Sequence, residues 1–272
     1  MAPVVEKNAV QSGISMKILA SVIPGPLIVK VLSVLSVVGL WYLATSLRWV
    51  SPIFLPSPVD VFNEARFLVE DGELLQAVIQ SSKRVFSGFA IAAFVSVPLG
   101  VLMAVWWPAK AALDPIVSLL RPLPSITWIP LTILWLGIGE GQKTAIVFMG
   151  SWIYILVYTY ESTKRVDPIL IRAARNLGAK GFAIMRVVLM GALPGIISGL
   201  KVTLAIAWSC VITAEMIAAQ VGLGAIIWRA KDGANLGLVL VGMIGISVTV
   251  LIADLLADRL ERVLLPWERR RI

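Results

Sequence analysis

Apolar residues run along this chain in blocks longer than a soluble helix or strand requires, separated by short charged stretches. A helix needs about 20 mostly apolar residues to cross the hydrocarbon core of a bilayer. Six segments approach that measure: 27–47, 85–107, 116–138, 144–160, 196–219 and 236–253. The first carries one charge, Lys30, close enough to its start to reach the interface. The third holds Arg121, Pro122, Pro124 and Pro130, so it is kinked or partly non-helical. A proline-rich loop followed by a shorter span is the alternative. Broken backbone persists at membrane depth only where protein or a water-filled cavity satisfies it. The pattern predicts an all-α integral membrane protein with a single membrane domain over 27–256. An N-terminal segment, 1–26, and a basic tail, 257–272, flank it.

Two of the connections are patterned. After the first span comes Ser51-Pro52-Ile53-Phe54-Leu55-Pro56-Ser57-Pro58, a turn-rich stretch, and 59–82 then reads as an amphipathic surface helix. Residues 161–195 are too charged to cross a membrane. Within them Asp167-Pro168 is an N-cap followed by proline at the first helical position, 169–177 forms a short helix, and Gly178 stops it. A second helical stretch, 181–190, is expected to run until Leu193-Pro194 opens the next span. Small Ala173 and Ala174 permit close approach, and Arg172 and Arg175 can meet acidic groups, so the loop suits docking to a partner. A hairpin lying on lipid headgroups fits the same residues.

Composition excludes several classes. The chain of 272 residues is 58% hydrophobic and 15% charged, with mean hydropathy +0.90. An ordinary soluble domain is about half apolar and about a quarter charged. A net charge of +8 would suit a nucleic-acid binder, but no basic stripe with interleaved aromatics is present. The Lys and Arg residues distribute instead as 14 in the segments on one side of the membrane and 7 on the other. That bias predicts both termini in the cytoplasm. No cleavable signal peptide is expected. Cys210 is the only cysteine and there is no histidine, which removes intrachain disulfides, His-based catalysis and the usual zinc sites. Gly137-Ile138-Gly139-Glu140-Gly141-Gln142-Lys143-Thr144 looks like a phosphate-binding loop, but Gln142 stands where glycine must precede the lysine, and the flanks are membrane spans. ATP binding by this chain is not expected.

Ionisable groups at membrane depth are costly and usually face the bundle interior or water. In the fifth span Lys201, Trp208 and Glu215 fall seven residues apart, nearly two turns, and so share one stripe. Lys201 is expected to snorkel, whereas Glu215 is a candidate for the pathway or for a helix contact. Arg121 is either an inner anchor or a cation that an anionic solute would meet.

Ile171-Arg172-Ala173-Ala174-Arg175-Asn176-Leu177-Gly178-Ala179, followed by Gly191-Ala192-Leu193-Pro194-Gly195, resembles the cytoplasmic loop of bacterial ABC-importer permeases. The likeness is to the taurine, alkanesulfonate, nitrate and bicarbonate branch, most of all its taurine-type members. Segment 51–58, Arg121-Pro122-Leu123-Pro124, Trp128-Ile129-Pro130-Leu131, Trp135-Leu136-Gly137-Ile138-Gly139-Glu140, Ala214-Glu215-Met216-Ile217-Ala218-Ala219 and Leu265-Pro266-Trp267 agree with it. Two positions depart: Arg172 stands at the usual glutamate, and Met190 near an expected proline.

The resemblance implies six transmembrane helices of the type I importer kind in the bacterial inner membrane. It also implies a permease subunit that is not itself an enzyme. Two copies, as a homodimer, would bind two ATPase subunits that hold the ATP and Mg, and would receive solute from a periplasmic or lipoprotein binding protein. Arg172, Ala173, Ala174, Arg175, Gly178 and Pro194 would couple loop 161–195 to the ATPase. Arg121, Trp208 and Glu215 are pathway candidates. The solute would be a small anion or zwitterion, taurine or another sulfonate first, with nitrate, bicarbonate or another small organic anion as alternatives. A self-sufficient secondary transporter would call for inverted repeats, and none is visible.

Overall fold

The computed structural model describes residues 26–267. The N-terminal segment 1–26 lies almost wholly outside the described residues, as does the end of the basic tail, 268–272. Helix α1 (Pro26–Ser46) stands in a first unit, residues 1–63, and buries no residue over its apolar length, 28–46. Its C-terminal turn closes within that unit, where the Trp41 indole N–H donates to the Pro56 carbonyl at 3.0 Å. Helix α2 (Pro58–Glu70) begins there too, with Ser57 and Asp60 hydrogen-bonding reciprocally at its start.

The second unit, residues 64–272, holds the bundle. Its elements are α3 (Glu73–Val105), α4 (Trp107–Leu120), a 3₁₀ turn (Ser125–Trp128), α5 (Ile129–Leu136), α6 (Glu140–Lys164), α7 (Pro168–Asn176), α8 (Phe182–Ala218), α9 (Leu223–Asp232) and α10 (Leu236–Leu264). The surface helix expected over 59–82 is instead two helices. Gly72, in the left-handed region at φ 79°, ends the first, and α3 then runs unbroken from Glu73 into the membrane segment.

Among the described residues, four helices are long and apolar enough to cross a membrane: 28–46 of α1, then α3, α8 and α10. The expected third span is a pair, α4 and the 125–136 segment, bent by 94° where Pro122 and Pro124 interrupt the ladder. Counting the pair as one span gives five. The expected span 144–160 lies inside α6, whose serines, threonines and tyrosines keep its apolarity below the same threshold. The reason is its position. Helix α6 is the central element, packed on α3 along one side and on α8 along another, with Gln142, Ser151, Thr159 and Thr163 facing protein rather than lipid.

Glycines set the spacing of these three helices. A side chain on Gly191, Gly195 or Gly199 of α8 would run into Val166, Ser162 or Tyr158 respectively, a register stepping by four on both antiparallel partners. On α3, Gly88 lies against the Thr144 carbonyl and Val147, and Gly100 against the Leu156 carbonyl and Thr159. Small residues at such contacts let backbones approach where the hydrophobic effect supplies no drive. The core between them is Val85, Val147, Leu204, Ala207, Trp208 and Val211, with Ala253 of α10.

Helix α8 also differs from expectation. A stretch 181–190 and a separate span from 196 are one helix of 37 residues, with Pro194 inside it. Proline removes one i→i−4 hydrogen bond and strains the preceding turn. Packing of Ala192, Ile196 and Val166 around that point holds the helix continuous.

Candidate functional site

Three regions carry polar groups that helix packing alone does not call for. The first lies at the end of the bundle bearing residues 73–84, 139–143 and 220–235. Arg84 on α3 is almost completely buried there and makes four donations. Two go to the Glu140 carboxylate at 2.6 and 2.7 Å, one to Glu215 at 2.6 Å and one to the Val221 carbonyl at 2.7 Å. Glu215, with a fully buried side chain, also accepts from the Ser81 hydroxyl at 2.7 Å and the Gly224 N–H at 3.0 Å. Lys143 reaches Glu140 at 3.1 Å. Charge-assisted bonds of this kind are short and strong. Glu140 is 62% exposed at the tip of α6. The Arg84 guanidinium, with Lys143 beside it, holds its carboxyl down at about 2, against burial acting the other way.

The Gly222-Leu223-Gly224 turn folds directly over this carboxylate. A β-carbon on Gly222 would sit 2.5 Å from the Glu215 side chain, and one on Gly224 would sit 2.6 Å from the Ile212 carbonyl. Sequence reasoning did not single out Arg84. The available signal was the Lys83-Arg84 pair immediately before an apolar run.

The second region is the connection between α6 and α8. Helix α7 begins with the Asp167 carboxylate accepting the Ile169 N–H at 2.8 Å, and Pro168 follows at the first helical position. It ends in a Schellman arrangement. The Gly178 N–H bonds the Arg175 carbonyl at 2.9 Å and the Ala179 N–H bonds the Ala174 carbonyl at 3.0 Å, with Gly178 at φ 84°. No residue of α7 is buried. Arg172, Ala173, Arg175 and Gly178 are exposed and Ala174 partly so, while Ile169, Leu170 and Leu177 show apolar surface to the exterior. Pro194 stands apart on α8, half-buried. With Leu170, Arg186, Met190 and Trp267 it lines a cavity of ≈ 650 Å³ beside α7.

The third region surrounds the 94° bend. Arg121, the C-cap of α4, is exposed; its backbone N–H bonds the Val117 carbonyl at 2.9 Å, but its side chain makes no hydrogen bond or salt bridge among the described residues. The other two pathway candidates are placed differently. Trp208 is 2% exposed within the three-helix core, edge-on to Phe86, and Glu215 is locked in the Arg84 cluster. Both point at α3, so neither reaches an open face. Lys201, on the same stripe, pairs with Asp258 and, at 2.7 Å, with Glu261 of α10.

Residues 96–270 match the family described as the binding-protein-dependent transport system inner membrane component. The chain belongs to this family. A probable ABC transporter permease of Brucella abortus is 36% identical over 86% of this chain and 92% of its own length. The taurine transport permease TauC of Escherichia coli is 32% identical over 84% and 85%, and the nitrate import permease NrtB of Synechocystis is 27% identical over 79% and 82%. Among solved structures, an inward-facing form of the MetNI methionine ABC transporter contains a chain 25% identical, with a TM-score of 0.63. The match covers 70% of this chain and 95% of that one. The family is one of inner-membrane permease subunits, so this chain is a membrane component of an ABC importer and not its ATPase.

Proposed function

We propose that this permease subunit forms the pathway for a small anion or zwitterion, taurine or another sulfonate before nitrate, bicarbonate or another small organic anion. The relatives' printed substrates are small and carry an anionic group, a sulfonate in the zwitterion taurine and the whole ion in nitrate, and the Arg121 side chain, on an open face of the bundle, has no partner among the described residues. In this reading two copies pair, two ATPase subunits carrying ATP and Mg dock on the 161–195 connection, and a separate binding protein delivers solute at the opposite end. Trp208 and Glu215 then hold the helices that flank the pathway rather than line it.

The observation that carries the reading is α7 itself, a short helix sharply capped at both ends that buries none of its own residues. An isolated helix of 9 residues has no stability in water without packing. Its exposed apolar side chains and Arg172 and Arg175 therefore suit a partner's groove, with Gly178 fixing the exit of the chain. A β-branched residue in the left-handed region costs on the order of 1 kcal/mol, which the bundle absorbs but a docking geometry does not. The importer, reconstituted in proteoliposomes with its ATPase and binding protein, tests this. Gly178→Val and Ala173→Trp should insert normally yet weaken ATPase association or uncouple hydrolysis from uptake. Normal assembly and uptake in both variants would remove 161–195 as the coupling element.

A further inference from the structure

The face of α6 opposite the 94° bend carries more than a lone cation partner would need. Beside Arg121 lies a furrow of ≈ 320 Å³ whose other lining residues come from α6 and its C-cap, chiefly Tyr154, Tyr158 and Glu161, with Arg165 at the cap. Their spacing of three and four places them along one stripe of that helix. A smaller space of ≈ 240 Å³ continues from it past Ser125 and Gly150 and shares Arg121 and Tyr154. The stripe cannot roll, because Tyr158 and Ser162 are seated against Gly199 and Gly195 of α8.

The charges on this furrow are of both signs, and neither is committed. The Arg121 side chain has no partner among the described residues. Glu161 meets Arg165 at 4.0 Å, with side chains 49% and 82% exposed, and acts on Lys110 only beyond ion-pair distance. A pair that loose and that exposed is worth about 0–1 kcal/mol, so the carboxylate is free to take a better cation. Glu161 lies seven residues along α6 from Tyr154, about 10 Å at 1.5 Å per residue. Between them Tyr158, 39% exposed, offers a phenol and a ring face to an ammonium.

We propose that this furrow is a station for a short zwitterion, an amino-sulfonate or amino-carboxylate, whose anionic head lies on Arg121 and whose ammonium lies between Tyr158 and Glu161. The proposal rests on the importer reading and narrows it. A planar guanidinium suits a sulfonate or carboxylate through paired donations. A simple anion uses only the Arg121 half and meets Glu161 as a repulsive neighbour, so nitrate, bicarbonate and amine-free sulfonates are disfavoured here by the same residue that holds the zwitterion.

The test is ligand-induced thermal stabilisation of the purified full-length permease, which keeps the separate binding protein out of the measurement. Taurine is compared with isethionate, its analogue bearing hydroxyl for amine, and with β-alanine, which separates sulfonate from carboxylate recognition. Taurine should bind the wild type about fivefold more tightly than isethionate, as expected for one partly exposed ion pair. Glu161→Gln should erase the preference from both sides, weakening taurine and strengthening isethionate until the two agree. Arg165→Gln should strengthen taurine, and Arg121→Gln should abolish both. Equal affinity for the two in the wild type, a taurine preference that survives Glu161→Gln, or no stabilisation by taurine at millimolar concentration would overturn the station. Uptake by the reconstituted importer separates the two levels. If the importer takes up taurine but the taurine preference persists in Glu161→Gln, the station alone fails; if it takes up no small anion or zwitterion, the importer reading fails with it.

Discussion

Replacing Arg84 by methionine keeps the stem of the side chain and deletes the guanidinium, and the cluster around it dictates what that costs. Four donations disappear, two to Glu140 and one each to Glu215 and the Val221 carbonyl. Glu140, 62% exposed, rehydrates. Glu215 cannot: its side chain is fully buried, and it retains only the Ser81 hydroxyl and the Gly224 N–H. Breaking a buried pair by removing one partner costs about 3–5 kcal/mol, nearly all of it here from the stranded Glu215 charge. In a domain of this size that corresponds to a fall in Tm on the order of 10 °C.

The same geometry ranks two further variants. Glu140→Gln removes an exposed partner and should cost under about 1 kcal/mol. Arg84→Met combined with Glu215→Gln removes the stranded charge while keeping an acceptor for Ser81 and Gly224, so it should melt above Arg84→Met alone. Thermal unfolding of the three purified variants in one detergent gives the order. An Arg84→Met that melts no lower than Glu140→Gln, or a double variant no better than the single one, would show that the buried charge pair is not what holds this end together.

Two other outcomes follow from the packing and the charges. Because Glu140 is held at about 2, below its ordinary 4.5, its contribution is fully present above pH 4.5 and lost as pH falls toward 2. The Tm difference between wild type and Glu140→Gln should therefore be flat from pH 7 to 5, and a difference that closes near pH 6 would contradict the assignment. Gly100→Ala places a β-carbon 2.7 Å from the Leu156 carbonyl oxygen, a backbone atom that cannot yield, and should cost about 1–3 kcal/mol. Gly141→Ala, with nothing within 4 Å, should not destabilise, and equal melting of the two variants would refute the tight α3–α6 contact.

What the sequence disclosed and what it withheld divide along range. Asp167-Pro168 and Gly178 announced α7 because capping is a matter of residues two to five apart, and the bonds at both ends close within that distance. Apolar blocks announced α1, α3, α8 and α10 because hydropathy is summed over one window. Helix α6 was harder. Its partners on both sides let it carry Gln142, Ser151, Thr159 and Thr163 inward, so its composition understates its depth. The continuity of α8 through Pro194 was hidden for a related reason, since the local rule says proline ends a helix and tertiary packing decides otherwise.

The Arg84 cluster lies at the far end of that scale. Its members are 56 and 131 residues apart, and no local pattern joins them. Yet the need for a partner was legible from Glu215 alone. A carboxylate near the end of an apolar helix must find a cation or lose its charge, and topology restricts the cations to those at the same end of the bundle. Arg84 and Lys143 are such cations, each beside the start of its apolar run. Between them geometry chooses. A guanidinium can bind Glu140 with two nitrogens and still spare a third for Glu215 and the Val221 carbonyl, which a single ammonium cannot do over the same span. Arginine at position 84 is therefore the residue that lets one buried side chain tie α6 to the end of α8 and to the turn that opens α9.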